Sequence, residues 1–283
     1  MLKAQGREGV VINADSAQVY ADLAVLSARP LPAEMQGVEH RLFGEWDGAQ
    51  ACSAADWAAR AREVIAEVHA RGAVPILVGG TGLYLRTLLD GIAPVPPIDP
   101  AVREAVRAMP VAAAYAALQA ADPARAALLS PTDTTRVARA LEVIRSTGKP
   151  LAGWQAERVG AISGKVDLHP LILLPARDWL YQRCDQRFAL MLDGGAVDEV
   201  RRLLERQLDP ALPIMRAIGV PEIAALLSGE IDRSEAESRG AQATRNYAKR
   251  QFTWFRNQPP QEWARSESHD CDLRCVFASL LRD

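Results

Sequence analysis

A short strand signal near the start of the chain constrains the fold most. Residues 10–12 are the apolar β-branched run Val-Val-Ile, and the polar residues Asn13, Asp15 and Ser16 follow it closely. An apolar run that stops abruptly is typical of a buried strand in a parallel sheet. In α/β proteins the chemistry lies at the carboxyl ends of such strands. The pattern therefore predicts an α/β fold with a carboxylate and a hydroxyl at the edge of a sheet.

A second strand signal with a similar ending predicts a neighbour for the first. Ser53 and Asp56 have the spacing of a capping box and predict a helix that ends near Gly72. Residues 74–78 are another apolar run, expected to be a buried parallel strand, and the sequence Gly-Gly-Thr-Gly of residues 79–82 follows it. Strand, helix, strand, glycine turn and helix in this order predict a parallel sheet flanked by helices.

Composition narrows the class of protein. The chain has 283 residues, is 49% hydrophobic and carries a net charge of -2, so it can bury a full core and has no general basic field for nucleic acid. Cys52, Cys184, Cys271 and Cys275 lack the spacing of a zinc site and are expected to be reduced structural thiols. No apolar run could cross a bilayer and no signal core is present, so a cytoplasmic location is expected.

A proline-rich stretch at residues 93–100 predicts a domain boundary. We expect an α/β core of residues 1–95 and 165–283, with a helical insertion of residues 96–164. The clearest helix of the insertion is predicted for residues 133–147, where Gly148 ends it. In the second part of the core, the patterns predict a strand at residues 169–174 and helices at residues 178–192, 196–206, 220–227 and 234–257.

Each candidate site residue has a functional and a structural interpretation. Asp15 can accept a proton, hold Mg²⁺ through water or cap a helix. The glycine-rich loop can admit an anionic ligand, or form a tight turn with Thr81 as the cap. The pairs Arg136 with Arg139 and Arg183 with Arg187 can bind phosphates, or form solvated faces and salt-bridge ladders. Two polar strand ends in one sheet favour a shared pocket.

The most basic helix signal lies near the C-terminus. Residues 240–260 contain Arg245, Lys249, Arg250 and Arg256 but no acidic residue, and aromatic residues stand between the cations. This pattern is typical of a surface that follows a nucleic-acid backbone and stacks bases. A helix on a membrane surface has a similar composition but needs a wider apolar face.

In this order the motifs resemble the bacterial tRNA dimethylallyltransferase family, also called tRNA isopentenyltransferase. The resemblance implies a P-loop-NTPase-like parallel sheet flanked by helices, with an all-helical insertion and a nucleotide-binding, ATP-binding ancestry. The matching segments span nearly the whole chain and are residues 13–20, 28–30, 40–41, 53–57, 79–84, 99–103, 136–143, 148–150, 186–188, 199–201, 218–219 and 243–256.

The resemblance implies a reaction and its partners. A dimethylallyl group would pass from dimethylallyl diphosphate to N6 of the adenosine adjacent to the anticodon, with Mg²⁺ as cofactor. The protein would be a monomer, and its partner would be the tRNA anticodon stem-loop. Asp15 would be the general base, and Thr81 and Arg187 would contact the diphosphate. The implied tRNA contacts are Asp15, Ser16, Ala17, Gln18, Thr81, Arg103, Thr135, Arg136, Val137, Ala138, Arg139, Lys249, Arg250 and Arg256.

One family motif has no counterpart in the printed sequence. Relatives carry a phosphate loop that ends in Gly-Lys followed by Thr or Ser, whereas the nearest segment here, residues 160–166, is one residue short and ends in Val. Residues 1–9 resemble the end of the helix that follows this loop. We therefore expect an N-terminally truncated member with impaired activity, and a degenerate, inactive paralogue is the second interpretation. Other candidate functions are non-catalytic tRNA binding, prenylation of free adenine nucleotides and phosphotransfer of the P-loop kinase type.

Overall fold

The computed structural model describes residues 1–268 and 270–281, and the chain divides into two compact units. Met1–Leu88 and Lys165–Asp283 form the first, here named the core unit. Leu89–Gly164 form the second, here named the insertion unit. The insertion unit thus begins before the proline-rich stretch, whereas the sequence analysis placed its start within that stretch, at residue 96.

The core unit contains a parallel sheet of three described strands in the order β2, β1, β3. Strand β1 (Gly9–Asn13) pairs with β2 (Glu39–Arg41) on one side and with β3 (Val74–Val78) on the other. In the register of β1 and β3, Asn13 lies opposite Val78, so the two strands end at the same edge. The predicted parallel sheet is confirmed, and this register brings the two polar strand ends together.

Helix α1 (Ala54–Ala70) connects β2 to β3 and begins with the predicted capping box. The hydroxyl of Ser53 accepts from the N–H of Asp56 at 3.2 Å, and the Asp56 carboxylate accepts from the N–H of Ser53 at 3.2 Å. This arrangement satisfies N–H groups that a helix start leaves unpaired. Trp57, in the first turn, is fully buried and donates its indole N–H to the carbonyl of Asn13 at 2.9 Å. Helix α1 is thereby anchored to the end of β1.

The expectation that residues 74–78 are buried is wrong, although the strand itself is confirmed. Ile76 is 37% exposed and Val78 is 53% exposed. Among the described strands, β3 has a neighbour on one side only, which is β1. An edge strand receives less cover than a central one, and a purely apolar sequence does not reveal which position a strand takes. Helix α2 (Gly82–Asp90) follows β3.

The insertion unit is built from helices, as predicted. Their buried residues, which include Leu118, Val137 and Leu141, form one apolar cluster. Helix α6 begins after Asp133, whose carboxylate accepts from the N–H of Arg136 at 3.1 Å, and it ends at Gly148 in the left-handed conformation at φ 69°. The helices are α3 (Pro100–Arg107), α4 (Val111–Ala121), α5 (Pro123–Ala126), α6 (Thr134–Thr147) and α7 (Leu151–Ala156).

The C-terminal part of the core unit is mainly helical. Strand β4 (Leu171–Leu173) and strand β5 (Ala264–Ser266) form a separate two-stranded parallel sheet. The four helices predicted between them are confirmed within one or two residues at each end. These helices are α8 (Arg177–Asp193), α9 (Ala196–Glu205), α10 (Val220–Leu227) and α11 (Arg233–Asn257). A short helix, α12 (Leu273–Val276), follows β5.

The cysteines are free, as expected. Cys52 and Cys184 are buried, and burial raises the pKa of the Cys52 thiol to about 11, which keeps it protonated. Cys275 is exposed, so the expectation of a structural role holds only for the buried pair. In the part of the chain that the structure describes, no helix is both long and apolar enough to cross a membrane.

The insertion unit offers a matched test of its core. Leu141 is fully buried, whereas Leu128 is 77% exposed. We expect Leu141→Ala to lower the free energy of unfolding by about 3 kcal/mol, because it leaves a cavity. Leu128→Ala should change it by about 0.5 kcal/mol or less. Urea unfolding followed by circular dichroism measures both, and equal losses would contradict the packing described.

Candidate active site

Asn13 holds the chain in the turn that follows β1. It is fully buried, and its amide oxygen accepts from the N–H of Asp15 at 2.8 Å. Its amide nitrogen donates to the carbonyls of Asp15 at 3.0 Å and Leu42 at 3.1 Å. Asn13 therefore fixes the backbone of Asp15 through both its N–H and its carbonyl. The sequence analysis did not single out this role, although a buried polar residue at a strand end was its signal.

The Asp15 side chain is half-buried at this turn. One of its carboxylate oxygens accepts from the N–H of Ala17 at 2.8 Å. Residues 16–19 form a turn and no helix begins there, so Asp15 does not cap a helix. Burial raises the pKa of Asp15 above its ordinary value, although hydrogen bonds from the backbone of Ala17 and Gln18 and the charge of Arg187 lower it. A raised pKa suits a carboxylate that has to accept a proton.

Thr81 connects the end of β3 to the turn after β1. Its N–H donates to the carbonyl of Ala14 at 3.1 Å. Its hydroxyl accepts from the N–H of Ser16 at 2.9 Å and donates to the hydroxyl of Ser16 at 3.1 Å. The structure thus brings Asp15, Ser16 and Thr81 into one site at the carboxyl edge of the sheet.

The glycine-rich loop is flanked by backbone on one side and by α11 on the other. A Cβ atom on Gly79 would lie 2.2 Å from the carbonyl carbon of Ala14, and one on Gly82 would lie 2.3 Å from the Trp254 ring. Gln251 donates its amide N–H to the carbonyl of Gly80 at 3.0 Å. Side chains are excluded at these positions because other atoms already occupy the space. The sequence analysis missed this contact, whose signal is the three-residue spacing of Gln251 and Trp254 on one helix face.

Helix α11 also presents the predicted basic residues. Lys249, Arg250 and Arg256 are exposed, whereas Trp254 is half-buried against the loop and contacts the Phe255 ring edge-on at 4.8 Å. These aromatic residues therefore pack against the protein with part of their surface and expose the rest to solvent. A groove of about 530 Å³ runs along this face and is lined by Asn246, Lys249, Arg250, Thr253, Trp254, Asn257 and Gln258.

Arg187 lies on α8 and acts on the site through its charge. A Cβ atom on Gly240 would lie only 1.9 Å from the Phe188 ring, so α8 and α11 can approach this closely because residue 240 is a glycine. The Arg187 side chain is exposed, its charge acts on Asp15, and it has no ion pair within the described residues. Asp185, between the two arginines of this helix, pairs instead with Arg245 of α11. The salt-bridge ladder considered from the sequence is therefore not formed.

The insertion unit carries the remaining predicted tRNA contacts. Arg103, Thr135 and Arg136 are exposed on α3 and α6. Arg139 is also exposed on α6, and local desolvation and the charge of Arg103 lower its pKa, although the charge of Glu142 raises it. Ala138 is half-buried on the same helix.

Val137 differs from its predicted role. It is fully buried and belongs to the apolar cluster of the insertion unit. Its side chain is therefore not available to tRNA in this structure. Successive residues of a helix point in different directions, so a contiguous segment such as residues 135–139 cannot face one ligand along its whole length.

A parallel sheet with Asp15, Ser16 and Thr81 at its carboxyl edge, and with the charge of Arg187 acting on Asp15, defines an α/β protein equipped to accept a proton and to bind an anion. Residues 18–258 match the family model described as IPP transferase. The tRNA dimethylallyltransferase of Erythrobacter litoralis is 65% identical over 99% of this chain and 89% of the relative. That of Novosphingobium aromaticivorans is 64% identical over 98% of this chain and 99% of the relative. The chain belongs to the tRNA dimethylallyltransferase family.

Two solved structures are similar over most of the chain. The full-length tRNA isopentenylpyrophosphate transferase of Bacillus halodurans has a TM-score of 0.66 at 32% identity, covering 99% of this chain and 88% of that one. A eukaryotic dimethylallyltransferase acting on tRNA has a TM-score of 0.76 at 29% identity, covering 89% of this chain and 65% of that one. The expected P-loop-NTPase-like fold class is confirmed.

The glycine-rich loop gives a paired test of the site. In Gly79→Ala the new methyl group meets the backbone of Ala14, so we expect a loss of about 2 kcal/mol in the free energy of unfolding. In Gly80→Ala it meets the end of the Gln251 side chain, which can turn away, so the loss should be smaller. Thermal unfolding in parallel tests this order, and a larger loss in Gly80→Ala would contradict the described geometry.

Proposed function

We propose that this chain transfers a dimethylallyl group from dimethylallyl diphosphate to N6 of the adenosine adjacent to the anticodon of a tRNA. The membership of the family supports this reaction, since its relatives are named for it. The observation that carries the proposal is that the Thr81 hydroxyl binds Ser16, the residue next to Asp15, while the charge of Arg187 acts on the Asp15 carboxylate. These groups match what such a transfer needs.

In the proposed reaction, the bond from N6 to the dimethylallyl carbon forms while the bond from that carbon to the diphosphate oxygen breaks. An exocyclic amine is a weak nucleophile and must lose a proton, which the Asp15 carboxylate accepts. The departing diphosphate gains negative charge, which the Arg187 guanidinium and the Thr81 hydroxyl stabilise. The target base has to leave its stack to reach Asp15, and unstacking costs a few kcal/mol that contacts on either side must offset.

We propose that tRNA is bound by local cations, because the net charge of -2 supplies no general attraction. The exposed residues Lys249, Arg250 and Arg256 of α11 would follow the phosphate backbone, and Gln18 would contact the RNA near the target base. In the insertion unit, the proposed contacts are Arg103, Thr135, Arg136 and Arg139. The monomeric state and the cytoplasmic location remain predictions.

Mg²⁺ is the proposed cofactor. Asp15, Ser16 and Thr81 supply oxygen atoms, which this cation prefers, and the two hydroxyls lie within 3.1 Å of each other. The described residues contain no group of three or more His, Cys, Asp or Glu side chains that could hold a metal. The hydroxyls of Ser16 and Thr81 would therefore hold the ion together with phosphate oxygens of the substrate. Bound there, Mg²⁺ would neutralise charge on the diphosphate.

A transfer assay with labelled dimethylallyl diphosphate and an unmodified anticodon stem-loop tests the function. We expect label on the adenosine, and Asp15→Asn should lower the rate by about 10² to 10⁴, because the proton acceptor is lost. Unlabelled AMP should compete poorly with the stem-loop. Binding of the stem-loop without transfer would instead indicate a non-catalytic tRNA-binding protein, and nucleotide-dependent phosphorylation would indicate a phosphotransferase.

The same assay examines the expected impairment. The printed sequence contains no phosphate loop ending in Gly-Lys-Thr or Gly-Lys-Ser, and such a loop supplies backbone N–H groups and a lysine to phosphates. We propose that the 283-residue chain therefore transfers the group more slowly than an engineered form to which such a loop has been added. Equal rates for the two forms would contradict this proposal.

The pH profile of the transfer should depend on Arg187. Asp15 works as a base only when it is ionised, so the rate falls as the pH drops through its pKa. Because burial raises this pKa, the acidic limb should lie above the ordinary aspartate value of about 4. Arg187→Gln removes a charge that lowers the pKa, so the limb should move to higher pH by about one unit or less.

Arg183→Gln is the control for this profile. Arg183 stands on the same helix and lies over the Trp179 ring at 5.1 Å, and it does not act on the pKa of Asp15. Its substitution removes the same charge from the chain and should leave the acidic limb in place. Equal displacement of the limb by both substitutions would show that the effect of Arg187 is not local.

A further inference from the structure

Glu199 is a buried acidic residue that the proposed reaction does not use. It lies in the first turn of α9 and is 4% exposed. One of its carboxylate oxygens accepts from the N–H groups of Ala24 and Val25, at 2.6 and 3.0 Å. The other accepts from the N–H of Leu26 at 2.9 Å. A single side chain thus satisfies three consecutive backbone donors.

The segment that Glu199 binds has no helix or strand of its own. Residues 21–28 consist of turns, a bend and irregular backbone, so these N–H groups are not satisfied by a regular element. Backbone donors that are buried without a partner are costly, and the segment therefore depends on this carboxylate for its conformation. The first turn of a helix also favours a negative charge, which strengthens the position of Glu199 on α9.

Helix α9 holds the same segment at a second point. Arg206, directly after the helix, forms ion pairs with Asp22 and with Asp47, the latter at 2.6 Å. Asp22 also accepts from the N–H of Gly48 at 2.9 Å. The segment of residues 21–28 is therefore tied to α9 near its start by Arg206 and near its middle by Glu199.

The end of this segment reaches the candidate active site. The carbonyls of Ser27 and Ala28 accept from the amide nitrogen of Gln18, at 3.0 and 3.3 Å. Ala28 has a φ of 51°, in the left-handed region that residues other than glycine seldom adopt. Such a conformation persists only where the surroundings hold it. Gln18 itself belongs to the turn of residues 16–19, which follows Asp15.

We propose that Glu199 is a positioning residue for tRNA binding. It holds residues 24–26, and through them it orients the carbonyls of Ser27 and Ala28 that fix the Gln18 side chain. The inference rests on the proposed function, because it takes Gln18 as a contact to tRNA. It assigns a role in RNA binding to a buried residue of α9 that acts through residues 24–28.

The test is a double-mutant cycle on stem-loop affinity with Glu199→Gln and Gln18→Ala. Glu199→Gln keeps the size of the side chain but turns an amide N–H toward a backbone N–H. We expect it to weaken binding of the unmodified stem-loop by about tenfold. In the Gln18→Ala background it should weaken binding by about twofold or less, because residues that act through one another are not additive. A purely structural role would not produce this dependence on Gln18.

Glu205→Gln is the matched control, since it removes the same charge from the exposed end of α9 and should leave the affinity unchanged. Three outcomes would overturn the proposal. They are an unchanged affinity in Glu199→Gln, an equal loss in both backgrounds, and an unchanged affinity in Gln18→Ala alone.

Amide hydrogen exchange measured by mass spectrometry separates this proposal from the proposed function. In Glu199→Gln, exchange should accelerate in residues 24–28 and also in residues 16–18. Acceleration confined to residues 24–26 would overturn the positioning role whether or not RNA binds. Failure of the unsubstituted chain to bind any stem-loop would contradict the proposed function, and the exchange result would then decide the positioning role alone.

Discussion

The register between β1 and β3 is the constraint on which the candidate active site depends. Asn13 lies opposite Val78, and the ladder continues as the N–H of Ala14 donates to the carbonyl of Val78 at 2.8 Å. The two chains then separate into the turn of Asp15 and the glycine-rich loop, which the Thr81 hydroxyl joins again. A shift of one residue would reverse the direction of each side chain on the displaced strand, so Asp15 and Thr81 meet only in this register.

The helices that cover this edge combine packing with chemistry. Helix α11 places Gln251 and Trp254 against the loop while Lys249, Arg250 and Arg256 remain exposed, because these two sets of residues occupy different faces of one helix. The close approach at Gly240 brings α8 near enough for Arg187 to act on Asp15. Because the glycines of the loop and of α11 carry no side chains, neighbouring atoms approach them closely. The charged groups come within range of one another as a result.

Much of the local structure could be predicted because its causes are local. The capping box of Ser53 and Asp56, and the glycine that ends α6, act within one or two helical turns, and the structure contains both. The abrupt end of the first apolar run also predicted a carboxylate and a hydroxyl at the edge of the sheet, which are those of Asp15 and Ser16. The burial of the Val137 side chain could not be predicted because a contiguous motif does not distinguish the buried face of a helix from its exposed face. The exposure of Ile76 and Val78 could not be predicted because strand order is not encoded in an apolar run.

The sequence by itself determined the class of fold, the division into a core and a helical insertion, and the types of residue at the sheet edge. These depend on periodicity, capping and composition within short windows. Only the tertiary structure decided which residues support the site. Gln251 binds Gly80 from 171 positions away, and Glu199 binds Ala24 from 175 positions away. Such contacts depend on how helices pack and on the conformation of irregular turns, and no local preference of either residue specifies its partner.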